Sequence, residues 1–256
     1  MPLVESGGVA IYYEVLGDRG RPAVLLVHGF SSGRDANWLR PRWGRVLDEA
    51  GFSVVALDLR GHGNSGKPHA LSAYALPRFR ADLVAVLDAA GVPSAHVLGY
   101  SLGARLAWDL ALAHPDRVRS LALGGPPATG SFAGFDLEAA KGAAEAAAGS
   151  PTARYLGMID AVAGNDRAAL LRVAEAGRRS GWSPLGAVPA HPLLFVAGGD
   201  DPVAGPTREL AERIPHAAFV GVPGRDHITT ITSRVFRDAV VDFFAAATPA
   251  EGPDRG

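Results

Sequence analysis

Two serines stand in the pattern Gly-x-Ser-x-Gly: Ser101 in Gly99-Tyr100-Ser101-Leu102-Gly103, and Ser31 in Gly29-Phe30-Ser31-Ser32-Gly33. The chemistry open to such a serine is acyl transfer, in which its hydroxyl attacks a carbonyl once a base has taken the proton. The pattern is useful only as a nucleophile elbow: a strand, a very tight turn and an immediate helix, with the oxygen exposed and the helix N-terminus aimed at it. Side chains in place of the flanking glycines would clash across that turn. In a chain with 32 glycines the pattern arises easily by chance, so the neighbouring residues must decide. Before Ser101, Ala95–Gly99 reads as a strand; after it, Leu102–His114 reads as a helix with small residues where it would cross a sheet. Ser31 also follows a strand but runs into Ser-Gly-Arg-Asp-Ala-Asn, a loop composition. Ser101 is therefore the predicted nucleophile and Ser31 a decoy.

The base is sought among eight histidines, since imidazole titrates in the useful range. His28 and His62 sit in glycine-rich turns. His69, His96, His114, His191 and His216 lie beside prolines or at element ends, where exposed or capping places are expected. His227 differs: it lies in Pro223-Gly224-Arg225-Asp226-His227, directly after the last predicted strand, where a side chain can reach back over the sheet edge. An acid must then orient the imidazole. Asp200 and Asp201 both follow the penultimate strand, and neighbouring side chains point in different directions, so one of them at most faces His227. Two backbone N–H groups must hold the developing oxyanion. The elbow supplies that of Leu102, and the loop after His28-Gly29 makes Phe30 the natural second donor. This relay needs no cofactor and no metal.

The elements that position these residues alternate. Val9–Leu16, Ala23–His28, Ser53–Leu57, Ala95–Gly99, Val118–Leu123, Leu193–Ala197 and Ala218–Val222 read as strands. Trp38–Ala50, Arg80–Ala90, Leu102–His114, Thr207–Ile214 and Arg234–Ala247 read as helices. Short apolar strands alternating with helices predict an α/β fold, a mostly parallel doubly wound sheet with helices on both faces. The rhythm stops at Gly124-Gly125-Pro126-Pro127 and resumes at His191-Pro192, with alanine-rich helical stretches Leu137–Ala148 and Asp166–Arg179 between. The expected division is a core of residues 1–125 and 190–247, a helical cap of 126–189 and a frayed tail of 248–256. A cap over the carboxyl end of the sheet is placed to act as a lid. Phe132, Phe135, Tyr155, Met158 and Trp182 are its expected contacts to an apolar pocket.

Bulk properties narrow the function. The 256 residues are 48% apolar, enough for a sizeable core. A net charge of −1, from 25 basic and 26 acidic residues mixed along the chain, leaves no stripe for nucleic acid and no polybasic run for a membrane surface. There is no cysteine, which removes disulfides, thiolate metal sites and a cysteine nucleophile together. With no signal-peptide pattern at the start, a cytoplasmic protein is expected, its partner a small-molecule ester.

Taken together, His28-Gly29-Phe30, Asp58-Leu59-Arg60-Gly61-His62-Gly63-Asn64-Ser65, Gly99-Tyr100-Ser101-Leu102-Gly103, Gly198-Gly199-Asp200-Asp201 and Gly224-Arg225-Asp226-His227 resemble the α/β-hydrolase superfamily. The likeness is to its small bacterial esterases and its haloperoxidase- or perhydrolase-like members with a helical cap. It implies that the acid falls three positions after the glycine of the Gly-x-x-Asp turn, which is Asp201. It also implies that Phe30 lends the second oxyanion donor, and that the Arg60-Gly61-His62-Gly63 turn is a structural loop beside the site. Relatives that open epoxides or displace halides carry an aspartate at the nucleophile position, where this chain has Ser101. Ester hydrolysis is thus the leading expectation. Lactone opening, perhydrolysis and carbon–carbon bond hydrolysis use the same machinery, and a small-molecule receptor on this fold is the reading of a different class.

Overall fold

The computed structural model describes residues 2–127, 132–142, 147–180 and 186–248. One sheet holds eight strands: β1 (Leu3–Ser6), β2 (Val9–Leu16), β3 (Ala23–Val27), β4 (Ser53–Leu57), β5 (Ala95–Tyr100), β6 (Val118–Gly124), β7 (Leu193–Gly198) and β8 (Ala217–Val222). Their spatial order is β1-β2-β4-β3-β5-β6-β7-β8. β1 and β2 are antiparallel to their neighbours; β4, β3, β5, β6, β7 and β8 run parallel. Parallel strands must be covered on both faces, and β3, β4, β5 and β7 are buried along their whole length. Val24 and Leu26 face a core that holds Trp43 and Phe244, while Leu25 and Val27 face one that holds Leu83 and Leu106. The helices supplying those partners are α1 (Trp43–Glu49), α2 (Leu76–Ala90), α3 (Leu102–Ala113) and, from the far end of the chain, α8 (Arg234–Ala246).

The strand order sets the site. From β3 the chain goes to β4 on one side, then crosses back to β5 on the other. The connections leaving the carboxyl ends of β3 and β5 therefore part to opposite faces and leave a crevice, the usual ligand position in such sheets. Between β6 and β7 lie α4 (Leu137–Lys141), α5 (Pro151–Asp160) and α6 (Arg167–Arg179), and no strand among the described residues. α7 (Thr207–Glu212) joins β7 to β8.

Several expectations need correction. β1 escaped the reading because it is a four-residue edge strand with one buried side chain. The helix expected over Trp38–Ala50 is broken: a π-helical turn covers Asp35–Leu39, Pro41 follows, and Arg42 adopts a left-handed φ of 66° before α1 begins. α2 begins at Leu76, not Arg80, with Pro77 in the first turn, where its missing N–H has no partner to lose. α4 stops at Lys141 before Gly142, and residues 143–146 of the expected Leu137–Ala148 helix, like Trp182, lie outside the described residues. α5 was not expected at all, although Ser150 caps it through the Ala153 N–H (3.1 Å) and Pro151 opens it. Thr248, assigned to the tail, is anchored: its hydroxyl donates to the Phe244 carbonyl (2.7 Å) and meets His96 Nε2 (3.0 Å). Residues 249–256 lie outside the described ones.

His96 is not exposed or capping. It is fully buried within β5, its Nδ1 against Ser120 Oγ at 2.8 Å and its ring beside Phe244 and Phe52. Burial lowers its pKa from 6.5 to about 4. Between those values the unfolded chain binds a proton that the folded chain refuses. The His96 contribution to stability is therefore full above pH 6.5, falls as the pH drops toward 4, and is level below that. Denaturant titrations of wild type and His96→Gln at pH 7 and 4.5 should show wild type losing its advantage on acidification; a difference independent of pH would contradict this.

Candidate active site

β5 ends at Tyr100 and α3 begins at Leu102, so Ser101 alone makes the turn, at φ 53° and ψ −113°. A positive φ is strained for a residue with a side chain and persists only where the surroundings force it. Here two glycines do so. A Cβ at Gly103 would lie 2.0 Å from the Val27 carbonyl oxygen, and one at Gly99 would lie 2.4 Å from the Gly103 carbonyl oxygen. The first turn of α3 thus rests directly on the backbone of β3. The Ser101 N–H donates to the Gly124 carbonyl (2.9 Å), which ties the elbow to the end of β6.

Asp201 and His227 meet at the ends of the last two strands. The Asp201 side chain is buried, and its Oδ2 accepts from His227 Nδ1 at 2.8 Å. Its Oδ1 accepts the N–H groups of Val203 (2.8 Å) and Ala204 (3.2 Å). With the carboxylate as acceptor, the imidazole proton sits on Nδ1 and the Nε2 lone pair is left available. Asp200, by contrast, is exposed, and its N–H donates to the Arg225 carbonyl (3.0 Å). Gly198 lets the two loops close: a Cβ there would lie 2.1 Å from that same Arg225 oxygen. Tyr100, just before the elbow, donates its hydroxyl to the His227 carbonyl (2.7 Å). The His227 ring lies over Gly125, where a Cβ would be 3.0 Å from its Cε1. Gly125 adjoins the Gly124 carbonyl that holds Ser101. The three expected residues thus share one end of the sheet. The Asp201–His227 bond is made, while the Ser101 hydroxyl makes no hydrogen bond to a described residue.

The loop after β3 closes the other side. A Cβ at Gly29 would sit 3.4 Å from Ser101 Cβ, so this loop lies against the elbow. The N–H groups of Phe30 and Leu102 have no partner among the described residues. His28, fully buried, donates Nδ1–H to the Gly29 carbonyl (2.7 Å) and accepts the Leu59 N–H on Nε2 (2.9 Å). Burial lowers its pKa to about 4, so it serves as a neutral brace for the loop. His62 packs edge-on against it and is held still lower, at about 3, by burial and then by His28. The Arg60 guanidinium pairs with buried Asp82 (2.5 and 2.6 Å), and the Asp58 carboxylate accepts the N–H groups of Arg34 (2.7 Å) and Asn64 (2.9 Å). The Asp58–Ser65 turn is thus bonded within the core.

Sequence reasoning missed the tie from Tyr100 to the His227 loop and the part played by Ser31. Ser31 is buried, donates to the Met158 carbonyl of α5 (2.7 Å) and accepts from Asn165 Nδ2 (2.8 Å).

The family profile described as the alpha/beta hydrolase fold matches residues 22–157. The chain belongs to the α/β-hydrolase family. It is 38% identical over 129 residues to epoxide hydrolase A of Mycobacterium tuberculosis, a match covering 49% of this chain and 38% of that one. It is 43% identical over 114 residues to a putative carbamate hydrolase of Variovorax paradoxus, covering 44% and 41%. The matches thus span less than half the length of these curated relatives. Among solved structures, the enol-lactonase from Burkholderia xenovorans aligns with a TM-score of 0.79 over 95% of this chain and 100% of that one, at 24% identity, a likeness of fold. Ser101 lies within the stretch that the family profile matches; Asp201 and His227 lie beyond it, so their pairing is read from geometry.

For this hydrolase-family chain the contact at Gly103 predicts a measurable stability cost. Gly103→Ala must displace backbone, not a flexible side chain, and should destabilise by at least about 1–3 kcal/mol. Gly157→Ala, in a helix with nothing within 4 Å of the new carbon, should be neutral or stabilising by up to about 1 kcal/mol. Thermal melts of both variants check the contrast; a harmless Gly103→Ala would refute the close approach.

Proposed function

We propose that the protein is a serine hydrolase that cleaves a carboxylic ester of a small, largely apolar substrate through an acyl-enzyme. Ser101 attacks the carbonyl, His227 Nε2 takes its proton and returns it to the leaving alcohol, and Asp201 holds the imidazole and stabilises its charged form. The N–H groups of Phe30 and Leu102 receive the oxyanion, the latter backed by the N-terminus of α3. Water, activated by the same histidine, then resolves the ester on Ser101. The observation that carries this reading is the 2.8 Å Asp201–His227 bond, held over Gly125 beside the strained turn at Ser101.

Chemistry separates this reading from the epoxide hydrolases among the relatives. A serine oxygen that opened an epoxide would be left as an ether, which water does not cleave under these conditions. The same oxygen attacking a carbonyl is left as an ester, which water does cleave. We assign the helices between β6 and β7 to the roof of the pocket, because the Phe30 ring packs against Phe132 (4.9 Å) and Tyr155 (5.9 Å), with Phe135 beyond Tyr155.

Ser101→Ala should lower turnover of an aryl ester at least about a thousandfold. A serine-directed phosphonate should place one adduct on Ser101; an adduct on Ser31, or one burst without repeated turnover, would overturn the proposal. Asp201→Asn should cost orders of magnitude in kcat with little change in melting, and Asp200→Asn at most severalfold. The reverse order would move the acid to Asp200. A panel of aryl esters of rising acyl length, with one lactone, reads the substrate class.

A further inference from the structure

Ser31 is spent on the inserted helices, and this has a consequence for its neighbour. The last carbonyls of an α-helix have no partner within the helix and must find one elsewhere. At the end of α5, the Gly157 carbonyl is taken by the Ala161 N–H. The Met158 carbonyl is taken by the Ser31 hydroxyl (2.7 Å), and the Ile159 carbonyl by Asn165 Nδ2 (3.0 Å). The same Asn165 nitrogen also donates to Ser31 Oγ (2.8 Å). A residue of the β3 loop therefore caps the C-terminus of an inserted helix, and its hydroxyl is engaged both as donor and as acceptor. Its backbone is correspondingly constrained, at φ 58°.

Phe30 precedes it. Its ring is clamped by Phe132 and Tyr155 from the insert and by His62 from the core (6.0 Å). The insert thus grips the dipeptide Phe30-Ser31 twice, by ring packing on the first residue and by hydrogen bonds on the second. On the core side, the polar ties at this point among the described residues run from His28 Nδ1–H to the Gly29 carbonyl and from the Gly29 N–H to Asn37 Oδ1 (3.3 Å).

We propose that Ser31 and Asn165 are positioning residues, which hold the Phe30 N–H at its place in the oxyanion hole by locking the loop to the C-terminus of α5. This deepens the hydrolase reading and rests on it. Loss of one oxyanion donor costs about 100- to 1000-fold in kcat, so a donor that is loosened but not removed should cost about tenfold. Because the donor acts on charge that appears only in the transition state, the loss should fall on kcat and spare KM. Ser31 and Asn165 form one link, so their effects should not add.

The test is steady-state kinetics of wild type, Ser31→Ala, Asn165→Ala and the double variant on one aryl ester, with the rate of phosphonate labelling at Ser101. The expected result is a roughly tenfold lower kcat in each single variant, the same value in the double variant, KM within about twofold of wild type, and labelling slowed in parallel. Asn165→Ala lies outside the strained loop and keeps the test open should Ser31→Ala fold poorly. Single variants that keep kcat within about twofold of wild type would overturn the inference, as would a loss carried wholly by KM, which would make the link a piece of pocket wall. A wild-type protein that takes no label at Ser101 would instead overturn the hydrolase reading, and this inference with it.

Discussion

The structure depends on how closely α3 approaches β3. With no side chain at Gly103, the first turn of the helix sits on the carbonyls of Val27 and His28. That approach goes with the strained turn at Ser101, brings the residue against the Gly29 loop, and sets it at the partial positive end of a twelve-residue helix. Strain, proximity and field thus meet at one residue. The switch in strand order between β4, β3 and β5 puts the serine at the carboxyl edge where sheets of this kind usually bind a ligand.

Around this turn the buried polar groups divide into two kinds. His28, His62 and His96 are neutral because burial holds their pKa values at about 4, about 3 and about 4, and they brace loops and strands by hydrogen bonds at fixed ring atoms. His227 differs from them: it is only part-buried, and its Nδ1 faces the Asp201 carboxylate. The nearby Arg60–Asp82 pair resembles the braces: it joins α2 to the Asp58–Ser65 turn, and Arg60 also donates to the Ala73 and Ser6 carbonyls.

Most of the fold was legible because parallel strands buried on both faces are written as short apolar runs, and Ser53–Leu57 matches residue for residue; the antiparallel β2 also falls where it was read, at Val9–Leu16. The helix breaks were harder, since the apolar spacing from Trp38 to Ala50 continues through Pro41, which terminates the helix. α5 was missed because only two of its side chains, Thr152 and Ile159, are buried, so its apolar residues mark no broad core face. Of the candidate site, Ser101 is proposed from its flanking strand and helix, and His227 from its place after the last strand. Asp201 needed a family spacing, because two adjacent aspartates carry the same local signal; the structure separates them by burying one and exposing the other. The bond from Ser31 to α5 joins residues 127 apart in the chain, a distance across which no periodicity reaches.

A crystal structure of the phosphonate adduct would test the central claim most directly, because it displays nucleophile, base, acid and oxyanion donors in one state. The relay described here predicts phosphorus on Ser101 Oγ, with one phosphoryl oxygen at about 2.7–3.1 Å from both the Phe30 and the Leu102 nitrogen. It also predicts His227 Nε2 within about 2.6–3.2 Å of Ser101 Oγ or the leaving-group oxygen, with Nδ1 still bonded to Asp201. An adduct whose phosphoryl oxygen turns away from both N–H groups, or a His227 ring that has left Asp201, would contradict it.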